Sequence, residues 1–206
     1  MSQRVEEREV YRGKWLTFNE CDYKTTDPKT GEECVHKSYE FVKRTTRLEN
    51  NNVDGAAIVP ILKYPDGKSK LVVIANYRPP VDKFILEFPA GLTDAGESIE
   101  KVAARELKEE TGYIMSNLRT DIPMIPIFDD PWKSNEATKV LMAEIDMTNP
   151  ENLAPKQDLD KGEMIRVHTI DIGPEGLDQI KKLAEANDYG ICNFLWMFFM
   201  GLCYKF

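Results

Sequence analysis

No stretch of this 206-residue sequence is apolar for the length of a membrane-spanning helix. The nearest approach runs from Tyr189 to Tyr204 and is 16 residues long with Asn193 inside it, where a span needs about 20. It reads as a buried C-terminal helix, with a tail anchor or interfacial helix as the other reading. The opening MSQRVEEREV lacks the apolar stretch of a secretory signal, so none is expected. Positive charge is also in deficit: 27 Lys and Arg face 35 Asp and Glu, a formal net charge of −8. Nucleic-acid backbones are held by clustered Lys and Arg, so no nucleic acid is expected as a partner. A small phosphorylated molecule, held by a few arginines or a divalent metal, stays open. The four cysteines, Cys21, Cys34, Cys192 and Cys203, show no CxxC spacing. They read as reduced thiols of a cytoplasmic protein, with the nucleus also open. The two histidines, His36 and His168, have no partner pattern that suggests catalysis and read as structural or surface residues.

What is present is a globular composition, 42% hydrophobic and 30% charged, in a chain long enough for a real core. Residues 8 to 47 read as strands, with TDPKTGE supplying a turn between two runs rich in aromatic and β-branched residues. GAAIVPILKY and LVVIANYR read as a hairpin across PDGKSK, and Pro79 and Pro80 stop the second strand. FILEF, ATKVLMAEIDM and EMIRVHTIDI read as further strands. PEGLDQIKKLAEAN places Leu177, Ile180, Leu183 and Ala184 at helical spacing. Strands with a few helices, not strictly alternating, predict an α+β (mixed α/β) fold. Residues 1–50 are expected to form a small antiparallel β unit and residues 51–206 the main domain.

The stretch GESIEKVAARELKEETG predicts a helix capped by Ser98 and stopped at Gly112. With Ala103 taken as the centre of the apolar stripe, Ile99 and Leu107 lie within about 40° of it and Glu106 and Glu110 within about 60°. Two carboxylates one turn apart thus face the side that should meet the core. Like charges at that spacing repel, and an unpaired buried carboxylate is costly. Either the helix rolls to leave them at a wet edge, or a counter-ion meets them. No Lys or Arg on the helix is expected to reach that face, whereas a divalent cation with oxygen ligands suits it. Arg105, on the other side, is expected to pair with Glu109.

Gly91, Glu97, then Arg105-Glu106-Leu107-x-Glu109-Glu110-x-Gly112-Tyr113 resembles the complete Nudix box. The flanks EFPAG, YEFVKRTTR, NYRPP and DDPWKSNE are similar to the ADP-ribose, or ADP-sugar, pyrophosphatase branch of that family. The resemblance implies a Nudix-type α/β/α sandwich with the small N-terminal antiparallel β unit. It implies Mg²⁺ or Mn²⁺ held by Glu106, Glu110 and the carbonyl of Ala90, with Glu109 a second-layer or additional ligand and Glu97 and Arg105 structural. It implies hydrolysis of ADP-ribose or a related ADP-sugar to AMP and a sugar phosphate. Trp15 and Tyr39, both read as lying on strands, would stack on the adenine, one from each subunit of a homodimer with exchanged N-terminal units. Arg44 and Arg78 would hold the diphosphate or terminal ribose, Glu40 the base, and Leu92 would line the substrate site. Three departures stand out: a segment between Tyr113 and the DP of DDPWKSNE that is a few residues longer, Tyr39 where tryptophan is familiar, and Trp132 where glycine is common. Glu163, after Gly162 in an acidic loop, matches the family's catalytic base, with Asp158 and Asp160 as local alternatives. Other readings are hydrolysis of oxidised guanine nucleotides or other nucleotide sugars, or a non-catalytic binding module.

Overall fold

The computed structural model describes residues 1–48 and 52–204. The chain divides into two compact units, Met1–Asp54 with Pro126–Thr138, and Gly55–Ile125 with Lys139–Phe206. The expected division between residues 50 and 51 falls outside the described residues. The segment Pro126–Thr138, expected in the main domain, goes with the smaller unit because its backbone is tied there. Val42 N–H donates to the Lys133 carbonyl at 2.8 Å, and Asp54 N–H to that of Ala137 at 2.7 Å. Arg47 grips the Asp54 carboxylate and donates to the Asn135 carbonyl at 2.7 Å.

The smaller unit is a three-stranded antiparallel sheet, β1 (Ser2–Arg12), β2 (Leu16–Thr26) and β3 (Glu33–Arg44), in that order. β1 begins well before the expected first strand and carries charge almost throughout. Nearly every residue of it is exposed, so no period-two apolar pattern marks it. Cross-strand ion pairs hold it instead: Arg8 reaches both Glu20 and Asp22 of β2. The turn after β2 forms as the sequence predicts, with Asp27 Oδ1 accepting from the Lys29 and Thr30 N–H groups and Gly31 at φ 72°.

The larger unit is built on β4 (Gly55–Lys63), β5 (Ser69–Arg78), β6 (Lys83–Glu87), β7 (Ala90–Leu92) and β8 (Asn117–Leu118). Beyond β9 (Pro126–Phe128), the sheet gains β10 (Ala137–Asp146), β11 (Ile165–Asp171) and β12 (Gly190–Ile191). Its order is β12-β6-β5-β4-β10-β8, with β11 on β5 and β7 on β4. The helices are α1 (Ile99–Thr111), the short α2 (Pro150–Leu153), α3 (Pro174–Asn187) and α4 (Asn193–Cys203). Alternation along β5 builds two cores. Leu71, Val73 and Ala75 pack with Leu177 and Ile180 of α3 and Leu195 and Phe199 of α4. Val72 faces the other way, with Val102, Ala103 and Leu107 of α1. Helices therefore cover both faces of a mixed sheet, the expected sandwich. The apolar C-terminal run is α4: Leu195 and Phe199 are buried, while Met197 and Leu202 are exposed. Among the described residues no helix is long and apolar enough to cross a membrane.

Candidate active site

The larger unit carries the acids. Ser98 caps α1, accepting from the Lys101 N–H, and Gly112 ends it at φ 77°, where the left-handed backbone favours glycine. Between these ends the helical period delivers Glu110 to the core side, only 4% exposed, together with the Glu106 carboxylate at 14%. Glu109 is more open, at 39%.

One expectation is overturned. Arg105 reaches round the helix and donates from Nη1 to Glu106 Oε1 at 2.7 Å as well as to Glu109 Oε2 at 3.1 Å. Its long side chain lets the guanidinium return to a face that its Cα does not occupy. The same guanidinium forks onto Glu97, Nε to Oε1 at 3.0 Å and Nη2 to Oε2 at 2.9 Å. Nη2 also donates to the Leu92 carbonyl at 3.0 Å. Arg105 therefore ties the helix to the loop before it, and its own pKa rises through these partners, Glu97 foremost.

Strand β7 closes the site from the other side. Ala90, expected to offer its carbonyl, presents its N–H to Glu110 Oε2 at 3.0 Å. At Gly91 a Cβ would stand 1.8 Å from the Glu106 carboxyl, so only glycine leaves room for that side chain. The backbone of β7 is as tightly placed against β4, because a Cβ on Gly55 would stand 2.0 Å from the Gly91 carbonyl oxygen.

Glu163 arrives on a loop pinned to the C-terminal end of α1. Gln157 Nε2 donates to the Glu110 carbonyl at 2.6 Å, and Asp158 N–H to the Glu109 carbonyl at 2.9 Å. The strand expected from Glu163 begins at Ile165, and Glu163 sits in the turn before it. There its N–H donates to the Asp160 carbonyl, and its Oε2 accepts from the Asp160 N–H at 3.0 Å. The turn places Glu163 close enough for its charge to act on both Glu106 and Glu110.

Sequence reasoning missed Glu87, the last residue of β6. Arg78, at the end of β5, donates to it from Nη2 at 2.6 Å. Its charge also acts on Glu110. The available signal was a lone acid in the apolar FILEF.

Burial and neighbouring acids raise both Glu110 and Glu106. Burial first, then Glu106, Glu87 and Glu163, push Glu110 up to about 8, against the pull of the Ala90 N–H. Burial raises Glu106 as well, while Arg105 draws it back. Among the described residues no three Asp, Glu, His or Cys side chains already converge on one ion position. The donor set nonetheless fits a hard divalent cation: all the side-chain ligands are carboxylate oxygens, and among the described residues Glu110 has no basic side chain within ion-pair distance. Glu106 and Glu110 would hold such an ion with Glu109 or Glu163 beside them.

The smaller unit carries the other expected residues. Trp15 lies in the Gly13–Trp15 turn rather than on a strand, because Gly13 N–H closes onto the Leu16 carbonyl. It is exposed, with Lys14 Nζ 4.5 Å from its ring centroid. Tyr39 is on β3, and its hydroxyl donates to the Trp132 carbonyl. It lines a cavity of about 340 Å³ with Cys21, Phe41, Phe128 and Pro131. Glu40 stands opposite Glu20 and is exposed. Arg44 Nε donates to Glu136 Oε1 at 2.6 Å. Neither histidine joins the acids: His36 stacks on Tyr23 at 4.5 Å, and His168 Nε2 is buried without a partner.

Residues 53–186 match the model of the NUDIX domain. The chain is 39% identical over 168 residues to an uncharacterized Nudix hydrolase of Schizosaccharomyces pombe, covering 81% of this chain and 80% of that one. It is 39% identical over 163 residues to the ADP-ribose pyrophosphatase of Saccharomyces cerevisiae, covering 77% of this chain and 65% of the relative. Identity to the ADP-sugar pyrophosphatase of Mus musculus is 33% over 161 residues, 78% of this chain and 69% of that one. Among solved structures, an ADP compounds hydrolase has the same fold at 22% identity and TM-score 0.55, over 89% of this chain and 83% of its own.

Proposed function

The chain belongs to the NUDIX domain family, and on that premise we propose that it hydrolyses the diphosphate of ADP-ribose and related ADP-sugars, giving AMP and a sugar phosphate. The observation that carries this reading is the buried Glu110 carboxylate on the loop-helix of an intact box, with Glu106 one turn before it and the charges of Glu87 and Glu163 also acting on it. The names of the similar yeast and mouse enzymes supply the substrate class.

Nudix ADP-ribose pyrophosphatases depend on divalent metals in general, and Mg²⁺ or Mn²⁺ bound here would lower the pKa of water and offset phosphate charge. Glu106 and Glu110 would hold the cation, with Glu109 and the Ala90 carbonyl as further ligands. Arg105 keeps Glu106 and Glu109 in place from outside. Glu163, on its pinned loop, takes the proton of the attacking water at its carboxylate. Arg78 grips the diphosphate or the terminal ribose, and Leu92 lines the substrate site.

The base is held by aromatic stacking, which tolerates any purine face. Leu16 pairs with Arg44 and Cys21 with Tyr39 on β2 and β3. Trp15 and Tyr39 are thus about six residues apart along the sheet, roughly 20 Å. One base cannot lie between both rings of a single chain, which favours a homodimer in which each N-terminal unit serves the partner's base site, with Glu40 at the base edge. A cytoplasmic location, with the nucleus open, fits the reduced thiols expected from the sequence.

Incubation with a panel of nucleoside diphosphate sugars and Mg²⁺, read by product chromatography, tests the reading. ADP-ribose should yield AMP and ribose 5-phosphate faster than guanine or uridine nucleotides react. Preferential turnover of an oxidised guanine nucleotide, or none of any diphosphate, would overturn it.

A further inference from the structure

Glu87 is a buried carboxylate to which the reaction above gives no task. Its position follows from the pairing of β5 with β6. Ile74 stands opposite Glu87, so the Glu87 side chain shares a face with Ile74, Asn76 and Arg78. This is the face on which Val72 packs toward α1. Arg78 forks onto it, Nη2 to Oε1 at 2.6 Å and Nε to Oε2 at 3.4 Å. The carboxylate is 14% exposed and the arginine 48%.

As a stabilising device the pair makes poor sense. An arginine half open to water contributes little through an ion pair, and the acid beneath it adds repulsion to Glu110. As a positioning device it makes good sense. A guanidinium held by a carboxylate through Nε and Nη2 has its third nitrogen, Nη1, left to meet another anion, and its plane is fixed. Among the described residues Nη1 makes no hydrogen bond.

We propose that Glu87 is a positioning residue that holds the Arg78 guanidinium so that Nη1 meets the substrate diphosphate beside Glu106 and Glu110. This rests on the ADP-sugar reading. It makes diphosphate grip depend on a residue that need not touch the substrate. A flexible arginine would lose rotamer freedom on binding, whereas one already clamped does not.

The test is steady-state kinetics of the intact protein with ADP-ribose and Mg²⁺ for Glu87→Gln, Arg78→Lys and the double variant. Glu87→Gln keeps the volume and removes the charge. KM should rise about tenfold, the loss expected for a charge-assisted hydrogen bond, with kcat within about threefold of wild type. The Mg²⁺ concentration for half-maximal rate should shift by less than the KM does, since the Glu87 charge acts on Glu110 only at a distance, and Glu87→Asp should recover part of the KM. The double variant should be no worse than Arg78→Lys alone, because the two act as one unit. An unchanged KM, fully multiplying effects, or a shifted Mg²⁺ requirement at constant KM would each overturn the proposal. If Glu87→Gln fails to fold, Arg78→Lys decides, since its half-exposed site tolerates the change: an unchanged KM there is equally fatal. A wild type that leaves ADP-ribose intact would fail differently, by removing the substrate reading on which the inference stands.

Discussion

A single backbone donor, the Ala90 N–H, meets the Glu110 carboxylate, while three other acids act on it through their charge. Its folded pKa, about 8, lies well above the ordinary 4.5. Between those two values the folded state binds more protons than the unfolded state, so this group's contribution to stability falls as pH rises from about 4.5 to 8. Glu110→Gln should therefore melt higher than wild type without metal. The gap should be near zero at pH 4 and largest at pH 8, with a free energy on the order of a few kcal/mol. Added Mg²⁺ should raise the wild-type melting temperature and reverse the order. Thermal melts across pH check this, and a gap independent of pH would contradict it. For Glu163→Gln the account expects kcat to drop about 10²–10⁴-fold with little change in KM, and partial recovery at higher pH. Asp160→Asn should cost much less, and stopped assays at several pH values would reveal the opposite order. The positions of Glu106 and Glu110 were legible because helical period is a local property. The turn of Arg105 back onto Glu106 was not, since it depends on rotamers rather than spacing. The place of Glu87 depends on which strand pairs with β6, and no local pattern states that.

The loop-helix element works because two glycines let the backbones of β4 and β7 and the Glu106 side chain close up. In Gly91→Ala the new Cβ meets the far end of the Glu106 side chain, which can swing aside. The fold should survive with a melting temperature within a few degrees of wild type, while turnover falls by about two orders of magnitude as Glu106 leaves its place. In Gly55→Ala the Cβ meets the backbone of Gly91, which cannot yield so easily. That variant should lose roughly 1–3 kcal/mol of stability, as overpacking does. Denaturant unfolding of both variants beside their activities tests the contrast, and equal stability losses would sink it. At this scale the sequence spoke clearly where one face is apolar. The start and stop of α1, the β4–β5 hairpin across Gly67 and the span of α3 all follow from caps, turn residues and period. It was silent on β1, a charged strand held by ion pairs, and on the Trp15 turn, where an aromatic-rich run conceals a reversal of direction.

At the scale of the whole molecule, the three-stranded unit exposes nearly all of β1 and sets Trp15 far from Tyr39 along the sheet. An area so poorly covered on a small β unit is consistent with use by a second copy. Sedimentation at micromolar concentration should give a dimer, and removal of residues 1–50 should weaken ADP-ribose binding. A fully active monomer would contradict the exchanged arrangement. The fold class was readable because both helix and strand periods are strong in the larger unit. The attachment of Pro126–Thr138 to the smaller unit was not, because it rests on backbone hydrogen bonds and on Arg47 meeting Asp54. The central claim is that the acids of α1 cleave the diphosphate of an ADP-sugar with a divalent cation. Its most direct measurement is product formation from ADP-ribose over a Mg²⁺ titration, with wild type and Glu110→Gln side by side. The account predicts AMP and ribose 5-phosphate from the wild type, rising with Mg²⁺ to saturation, and less than about a hundredth of that rate from the variant at any Mg²⁺ concentration. A variant that keeps a tenth or more of the wild-type rate, or a wild-type rate indifferent to Mg²⁺, would contradict it.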